Sequence, residues 1–342
     1  MCKQIRKEKE SMTRKRLNIK PYNEFWFQNC IMHALAQITG SLGIIDCLLF
    51  DCIFTYEFEW KDGKPILIFK QEYHKGWIKC LEEKRIYTKF ISAEPKELIN
   101  KIKVSIDKDC PVIANIDCFF ESLRRDCYGK SHVAHTLLII GYDDTTKLFQ
   151  VLEHNFKDDL YYKEQVIPYM EVVDASVGYT EHISKQNIII YAEIDYCKAD
   201  RTKTGKQKVI VSNLIVLEKM LNSLPIFKLF NKNIESYFMQ SDMSKEEIKA
   251  YYHMVMGIVN LKRVFYSQIE ALHLEYNILN TELLLKTIND WNILMGLLGK
   301  MVYSGFWSKK TLLKIVELFK SIYKTECLWL RDAKNDFLEV LA

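Results

Sequence analysis

The sequence predicts an α+β protein in which a mixed domain with an antiparallel sheet comes before an all-helical domain. Two observations lead to this prediction. Short apolar runs rich in β-branched and aromatic residues recur up to residue 197, whereas only helical periodicity continues after residue 209. Between them, the polar segment 200–208 contains Gly205 and no apolar anchor, which is typical of a linker. We therefore predict a basic tail over 1–21, the mixed domain over 22–199 and the helical domain over 209–342.

The composition is typical of a globular protein and excludes several other classes. Of the 342 residues, 49% are apolar and 27% are charged, and the net charge is +4. No run approaches the ~18 consecutive apolar residues of a membrane span, and the small net charge gives no basis for nucleic-acid binding. The first 20 residues carry eight Lys or Arg and two Glu, which indicates a solvated basic tail, with a patch for an acidic partner as the alternative.

Within the mixed domain, helices and strands follow from periodicity and from turn residues. A short apolar helix is predicted over 30–39, closed by Gly40, and an amphipathic helix over 95–105. Strands are predicted over 64–70, 111–117, 135–142, 148–153 and 188–194. The segment 46–58 fits either a strand or a helix-to-strand transition, and the pattern does not separate the two.

Apolar residues recur every three or four positions through the helical domain, which predicts amphipathic helices there. The first spans 209–230 and is interrupted near Pro225. Ser244 and Glu247 form a capping box, which predicts a helix that begins there and ends at about 280. The remaining helices are predicted over 282–304 and from 308 to about 338.

The ten cysteines are scattered through the chain, without a CxxC pair or a compact spacing. No apolar segment follows the basic tail, so we expect no secretory signal, reduced thiols and a cytoplasmic location. Cys127, His132 and His135 lack a fourth ligand at a suitable spacing, so we predict no metal site. The remaining question is whether one of the cysteines is a nucleophile.

Cys30 and His135 are the candidates for a nucleophile and its base. Cys30 lies where a loop enters the predicted helix over 30–39, and a helix start favours a thiolate. His135 opens a buried strand that fixes its backbone. Each residue alone is more often structural, but together they meet two needs of thiol catalysis, which also requires a group that orients the base.

The predicted hairpin supplies the orienting group. Its turn lies at 144–146, so the end of the second strand returns beside His135 and brings Glu153 or Asn155 within reach of the imidazole. Cys30, His135 and Glu153 then form a catalytic triad, with Asn155 as the alternative orienting residue. Asp117 ends another buried strand, where its carboxylate either caps the turn or contacts a substrate.

Three segments follow one another in the mixed domain: NCIMHALAQITGSLG, CPVIANIDCFF and SHVAHTLLIIGYDDTTKLFQVLEHN. In this order they resemble the N-terminal domain family of butirosin biosynthesis protein H, a relative of the C39-like and papain-like cysteine peptidases. The family's helix-opening Cys, its His before a Gly-Tyr-Asp strand and its acidic strand end fall on Cys30, His135 and Glu153. The resemblance covers about residues 22–195 and implies a papain-like (cysteine-proteinase-like) domain, beside which a helical C-terminal part is usual.

The resemblance implies a cysteine acyltransferase of nonribosomal peptide or polyketide clusters, as in antibiotic biosynthesis. The implied donor is an acyl or peptidyl carrier protein, which holds the acyl group on phosphopantetheine, and the implied acceptor is a small amine. We expect no bound cofactor, no nucleic acid and no membrane partner, and a homodimer stays open. A C39-like cysteine peptidase or amidase with the same residues, and a non-catalytic module that binds carrier proteins, are the alternatives.

The same resemblance assigns further roles near Cys30. Papain-like enzymes use a Gln before the nucleophile as an oxyanion donor, and Gln28 matches it, although it lies only two positions before Cys30, closer than the peptidase spacing. The peptidases have Asp or Asn at the third triad position, where this chain has Glu153.

Overall fold

The computed structural model describes residues 13–24, 29–50, 52–156, 161–202, 205–240, 243–276 and 281–341. It confirms the α+β class, with antiparallel sheets and a helical C-terminal region. The chain forms two compact units. The sheet unit comprises the described residues within Met1–Asn23, Asn29–Ile44 and Leu81–Arg201, and the helical unit those within Glu24–Gln28, Ile45–Cys80 and Thr202–Ala342.

The strands, in chain order, are β1 (Arg14–Arg16), β2 (Cys52–Lys61), β3 (Lys64–Tyr73), β4 (Tyr87–Ala93), β5 (Val112–Asp117), β6 (Ala134–Asp143), β7 (Leu148–Glu153), β8 (Lys163–Pro168) and β9 (Ile189–Asp195). The α-helices are α1 (Cys30–Ser41), α2 (Asp46–Leu49), α3 (Trp77–Glu83), α4 (Pro95–Asp107), α5 (Tyr169–Gly178), α6 (Lys206–Gln240), α7 (Lys245–Tyr276), α8 (Glu282–Ser304) and α9 (Lys309–Leu341). A 3-10 turn follows β5 at Cys118–Phe120, and a π-helical turn follows α5 at Tyr179–Ser184.

The sheet unit contains a seven-stranded antiparallel sheet. Its strands follow the order β4-β9-β5-β6-β7-β8, and β1 pairs with the last residues of β6. The central strands β5 and β6 are almost entirely buried, because α1 and α4 pack against β6 and α5 packs against β5. In the antiparallel pairing, the first residues of β6 lie beside the last residues of β5 and β7. Three strand ends therefore meet at one edge of the sheet.

The hairpin of β6 and β7 contains a β-bulge. Gly141 lies opposite Gln150, but Ile139 lies opposite Val151, so Ile140 is an extra residue on β6. A side chain on Gly141 would collide with the side chain of Gln150 and with the backbone of β1. Glycine is therefore required where β1 approaches the bulge.

In the helical unit, the hairpin of β2 and β3 packs on α6 and α7. Phe54, Tyr56 and Phe69 are buried on this hairpin. The ring of Phe54 lies 5.1 Å from that of Phe265 on α7, and the ring of Tyr56 lies 4.8 Å from that of Phe227 on α6. Since α6 also packs against α9, and α7 against α8, the hairpin is part of the core of a helical bundle.

This division differs from the predicted mixed domain over 22–199. Residues 45–80 belong to the helical unit, so that unit is not all-helical and its segments are not continuous in sequence. The alternation in a strand shows which of its faces is apolar, but not which layer covers that face. The sequence therefore indicated a strand over 64–70 without indicating the unit that it joins.

The described part of the basic tail predicted over 1–21 keeps Arg14, Arg16 and Lys20 exposed, but its backbone joins the sheet. Arg14–Arg16 form β1, and the side chains of Leu17 and Ile19 are buried. Lys15 forms an ion pair with Asp109 at 2.7 Å. Leu17 and Ile19 alternate with polar residues after the basic run, and their burial anchors this segment to the sheet unit. The count of charged residues alone did not indicate this. Residues 1–12 lie outside the described residues.

The long helices of the helical unit agree with the predicted ones except in α6, which continues to Gln240 where the prediction ended at 230. The capping box is confirmed, because the Glu247 amide donates to Ser244 Oγ at 3.3 Å and the Ser244 amide donates to Glu247 Oε2 at 2.7 Å. The predicted interruption is wrong, since α6 continues through Pro225. Proline removes one backbone donor, but packing of α6 on α9 and on the hairpin stabilises the turns on both sides of it.

Helix α6 also bears on the membrane prediction. Over 207–239 it is, among the described helices, the one long and apolar enough to cross a membrane, and 44% of its most apolar window is buried inside the protein. Core helices of globular proteins pass the same test of length and composition. A single helix of this kind is weak support for a membrane span.

Candidate active site

Cys30 is the first residue of α1, and the residue before it caps the helix. The Asn29 side chain accepts a hydrogen bond from the Ile31 backbone amide at 3.0 Å, which fixes the helix start. Helix α1 packs against β6, whose second residue is His135. The Cys30 side chain is half-buried, so its sulfur is held by the fold and still borders solvent.

The surroundings of Cys30 favour its thiolate. Burial alone would raise the pKa of the thiol. A hydrogen bond and positive charge from His135, with hydrogen bonds from Thr136 and the Ile31 backbone, lower the pKa by more than burial raises it. The pKa of Cys30 therefore lies below its usual value. Burial raises the pKa of other cysteines of the sheet unit: Cys110, Cys118, Cys127 and Cys197. Of these five described thiols of the sheet unit, Cys30 is the one whose surroundings favour the thiolate.

Glu153 holds the imidazole of His135. Nε2 of His135 lies 2.9 Å from Oε2 of Glu153, and both side chains are buried. With Nε2 occupied, Nδ1 is the ring nitrogen that remains for the Cys30 sulfur, an assignment of roles made from this hydrogen-bond network. The structure thus brings the three predicted triad residues together as a thiol, an imidazole and a carboxylate.

The bulge in β6 determines that Glu153 reaches His135. A regular hairpin continued from the turn would place Glu153 opposite Leu138, on the other face from His135. The extra residue Ile140 shifts the register by one, so Leu138 lies opposite Leu152, and Glu153 shares the face of His135 in a diagonal position. Diagonal Cα atoms are about 7–8 Å apart, a gap that the long Glu side chain spans.

Asn155, the alternative orienting residue, lies beyond the end of β7. Its backbone carbonyl accepts a hydrogen bond from the Arg125 amide at 3.1 Å, which holds this segment in a turn. The residue that contacts the imidazole is Glu153. The geometry therefore agrees with Glu153, rather than Asn155, as the orienting residue. Asn155 is not in position because β7 ends before it.

Burial is the largest influence on the pKa of Glu153. It raises the pKa of Glu153 to about 8, against the lowering effects of the His154 backbone hydrogen bond and the charge of Arg124. The His154 amide donates to Oε1 of Glu153 at 2.7 Å. Both carboxylate oxygens therefore have donors, which offset part of the cost of burying the charged form.

Two further aromatic side chains, those of His154 and Tyr162, lie beside the triad, and neither was predicted from the sequence to be part of the site. Burial lowers the pKa of His154 to about 3, so its imidazole is neutral. The Tyr162 ring packs edge-on against His154 at 4.8 Å and is stacked on His33 at 5.2 Å. The charge of Cys30 acts on Tyr162, which places this phenol near the thiol. Because His154 follows Glu153 directly in the sequence, its position next to a predicted triad residue could have indicated that it lies at the site.

A cation could in principle bind His135, Glu153 and His154, whose ligand atoms lie within 4.8 Å of one another. In the structure, however, Nε2 of both imidazoles faces a carboxylate oxygen of Glu153, at 2.9 Å for His135 and 3.4 Å for His154. These atoms are paired with one another, and a metal ion would have to replace those contacts.

Asp117 lies at the same edge of the sheet, with a different task. Its Oδ1 accepts from the amides of Phe119 at 3.0 Å and Val133 at 3.2 Å, and its Oδ2 lies 2.6 Å from Nδ1 of His132. The buried carboxylate therefore caps the turn after β5 and anchors an imidazole that stacks on Phe119 at 4.5 Å. Of the two predicted roles for Asp117, the contacts are those of the turn cap.

Gln28, the predicted oxyanion donor, lies outside the described residues. In the first turn of α1, the amides of residues 31–33 already donate to Asn29, so the Cys30 amide is the described donor that remains for a substrate carbonyl, at a helix start whose dipole favours negative charge. The arrangement can therefore stabilise both the thiolate and a developing oxyanion. Chemically, it suits nucleophilic attack on a carbonyl carbon.

Comparisons with known proteins add no family to this geometry. No family model matches the chain, and no curated protein matches it in sequence.

Proposed function

We propose that the chain is a cysteine-dependent acyltransferase with a papain-like sheet unit. It would move an acyl group from the pantetheine thioester of a carrier protein to an amine acceptor, in secondary-metabolite biosynthesis. The single observation that carries the proposal is the Cys30–His135–Glu153 assembly, in which the imidazole lowers the pKa of the thiol and a buried carboxylate holds the imidazole. The resemblance of the three ordered segments supports the transferase over other thiol chemistries.

The reaction has two halves. The Cys30 thiolate attacks the thioester carbonyl, and the tetrahedral intermediate collapses with release of the pantetheine thiolate, which takes the proton of the His135 imidazolium. The amine then attacks the acyl-enzyme, His135 accepts the amine proton, and the Cys30 thiolate leaves. Glu153 stabilises the imidazolium in both halves, and the Cys30 backbone amide at the start of α1 stabilises the oxyanion.

The partners and location follow from the same proposal. The donor is an acyl or peptidyl carrier protein, whose acidic surface suits a chain of net charge +4, and the acceptor is a small amine. The described cysteines are free thiols, which supports a reducing compartment such as the cytoplasm. The proposal requires no cofactor other than the phosphopantetheine of the donor.

Acyl loading tests the proposal. The full chain is incubated with a panel of acyl-pantetheine thioesters, and adducts are located by intact-mass and peptide mass spectrometry. We expect an acyl adduct on Cys30 that an added amine removes as the amide. Cys30→Ala should form no adduct, whereas the matched control Cys197→Ala, which removes an exposed thiol, should load like the parent chain.

Two results would overturn the transferase. One is the absence of any adduct from the panel although Cys30 reacts readily with iodoacetamide. The other is cleavage of peptides or simple amides in a Cys30-dependent manner, with no transfer to amines, which would establish the peptidase or amidase.

A further inference from the structure

One buried acid beside the candidate site has no role in the steps above. Glu121 follows the 3-10 turn after β5, and its side chain is fully buried. Neither of its carboxylate oxygens has a hydrogen-bond partner among the described residues. A carboxylate without donors is costly to bury, whereas a protonated carboxyl group is much less so. The geometry alone therefore favours a proton on Glu121.

The charged groups around Glu121 come from four neighbouring elements. They are Glu153 at the end of β7, His135 on β6, Arg124 in the turn after β5, and Glu171 on α5. Burial and the charge of Glu153 raise the pKa of Glu121 to about 8, against the lowering effects of His135 and Arg124. Two acids thus share one buried region behind the imidazole.

The two acids differ in their hydrogen bonds. Glu153 accepts from His135 and from the His154 amide, whereas Glu121 accepts from no described residue. Arg124 does not compensate for this, since its guanidinium forms two hydrogen bonds with Asp126, at 3.0 and 2.9 Å. When the pair carries one negative charge, that charge therefore lies on Glu153.

We propose that Glu121 is a positioning residue that holds a proton beside Glu153 and so keeps the single negative charge of the two acids on Glu153, where it faces the His135 imidazole. The inference rests on the proposed function, because it concerns the partner of the catalytic base. When the thiol ionises, the Cys30 proton moves to His135, while Glu153 stays charged and Glu121 stays neutral. A second charge on Glu121 would repel that of Glu153 and draw a proton onto it, which would remove the partner of the imidazolium.

Glu121→Gln and Glu153→Gln form a matched pair of variants, because Gln resembles a protonated Glu that cannot ionise. The first measurement is the rate of iodoacetamide alkylation of Cys30 near neutral pH. We expect Glu121→Gln to lower it less than about threefold, because it mimics the native protonated state, and Glu153→Gln to lower it at least about tenfold. This readout needs no acyl donor, so failure of acyl loading would leave it intact.

The second measurement is thermal unfolding between about pH 5 and about pH 8. An acid whose pKa is higher in the folded state keeps its proton there while the unfolded chain loses it. Stability from that proton is present at low pH and is lost as pH rises toward the folded pKa of about 8. Glu121→Gln cannot titrate, so its melting temperature relative to the parent chain should rise by at least about 3 °C across this range.

Either of two results would overturn the inference. One is an alkylation rate that Glu121→Gln lowers as much as Glu153→Gln does, which would mean that Glu121 carries the charge. The other is a melting-temperature difference that does not change with pH, which is the signature of a purely structural side chain. If Glu121→Gln does not fold, Glu121→Met, of similar length and equally unable to titrate, provides the same two readouts.

Discussion

Each unit of the chain buries a glutamate beside a base, and the two sites are completed differently. In the helical unit, Glu326 Oε1 receives Lys262 Nζ at 2.9 Å and Trp291 Nε1 at 3.1 Å, and Oε2 receives the Tyr56 hydroxyl at 2.7 Å. Nζ of Lys262 also lies 4.1 Å from the ring centre of Phe69. Every charged group there has partners, and the pair is closed off from solvent.

The titratable groups of the sheet unit are less completely paired. Cys30 is half-buried with a lowered pKa, Glu121 has no donor among the described residues, and Glu153 has a pKa raised to about 8. A fully satisfied buried pair fixes a fold, whereas titratable groups with shifted pKa values around a partly exposed thiol are typical of reactive sites. The comparison assigns structure to one glutamate and chemistry to the other, and substitutions at Cys30, Lys262 and Glu153 test that assignment.

The largest effect is expected at Cys30. Cys30→Ala removes the nucleophile, so acyl transfer should fall at least about ten-thousandfold, or ~5.5 kcal/mol of transition-state stabilisation. The free energy of unfolding should change by less than about 1 kcal/mol, because the side chain is small and half-buried. Transfer kinetics and urea unfolding of the same preparation measure both. Retention of even a hundredth of the activity would be incompatible with a covalent acyl-enzyme on Cys30.

Lys262→Met should have the opposite effect, with a large loss of stability and no loss of activity. It leaves Glu326 buried without its cation, which costs about 3–5 kcal/mol of unfolding free energy. Transfer by the folded fraction should be unchanged, and urea unfolding followed by tryptophan fluorescence gives the stability. Lys334→Met is the matched control, since its pair with Glu218 is exposed and contributes less than about 1 kcal/mol. Equal costs for the two lysines would remove the structural half of the comparison.

Glu153→Gln tests the orienting residue in the proposed reaction itself. The amide cannot balance an imidazolium charge, so acyl transfer should fall at least about tenfold, or ~1.4 kcal/mol. Asn155→Ala should change transfer little, because the contact of Asn155 is made by its backbone. Initial rates with one thioester and one amine suffice for the measurement. The reverse pattern would move the orienting role to Asn155.

The smallest effect concerns a glycine of the helical unit. Gly257 lies inside α7, and a Cβ there would meet no atom within 4 Å, so Gly257→Ala should stabilise the chain by about 0.5–1 kcal/mol. Gly299 inside α8 is the matched control, because its Cβ would lie 3.2 Å from the Tyr252 ring and the gain there should be smaller. Urea unfolding compares the two. A loss of stability at Gly257 would show that the helical unit needs this glycine for another reason.

Local pattern predicted much of the fold. The β5, β6, β7 and β9 strands, the helix that begins at Cys30 and the capping box at Ser244 all come from signals within about a dozen residues. The strands β4 and β8 were missed because both are largely exposed and lack an apolar alternation. Exposed strands carry little hydrophobic signal, since only burial imposes a period of two.

The site was predictable to the extent that it follows from chain order. A cysteine at a helix start, a histidine at the beginning of a strand and a hairpin that returns an acid indicated Cys30, His135 and Glu153. Glu121 and Tyr162 were missed, because their places beside the triad depend on tertiary packing. The position of residues 45–80 was missed for the same reason, since it depends on which layer covers the hairpin.

The bulge at Ile140 has a consequence for how this protein can change. Side chains alternate along a strand, so the pairing of β6 with β7 has two frames, and a single inserted residue selects between them. Deletion of Ile140 would restore the regular frame and turn Glu153 to the opposite face, although no residue of the triad would be altered. Insertion or deletion of one residue in β6 is therefore as damaging to the site as loss of the Glu153 carboxylate. We expect the chain to accept insertions and deletions outside this hairpin but not within it.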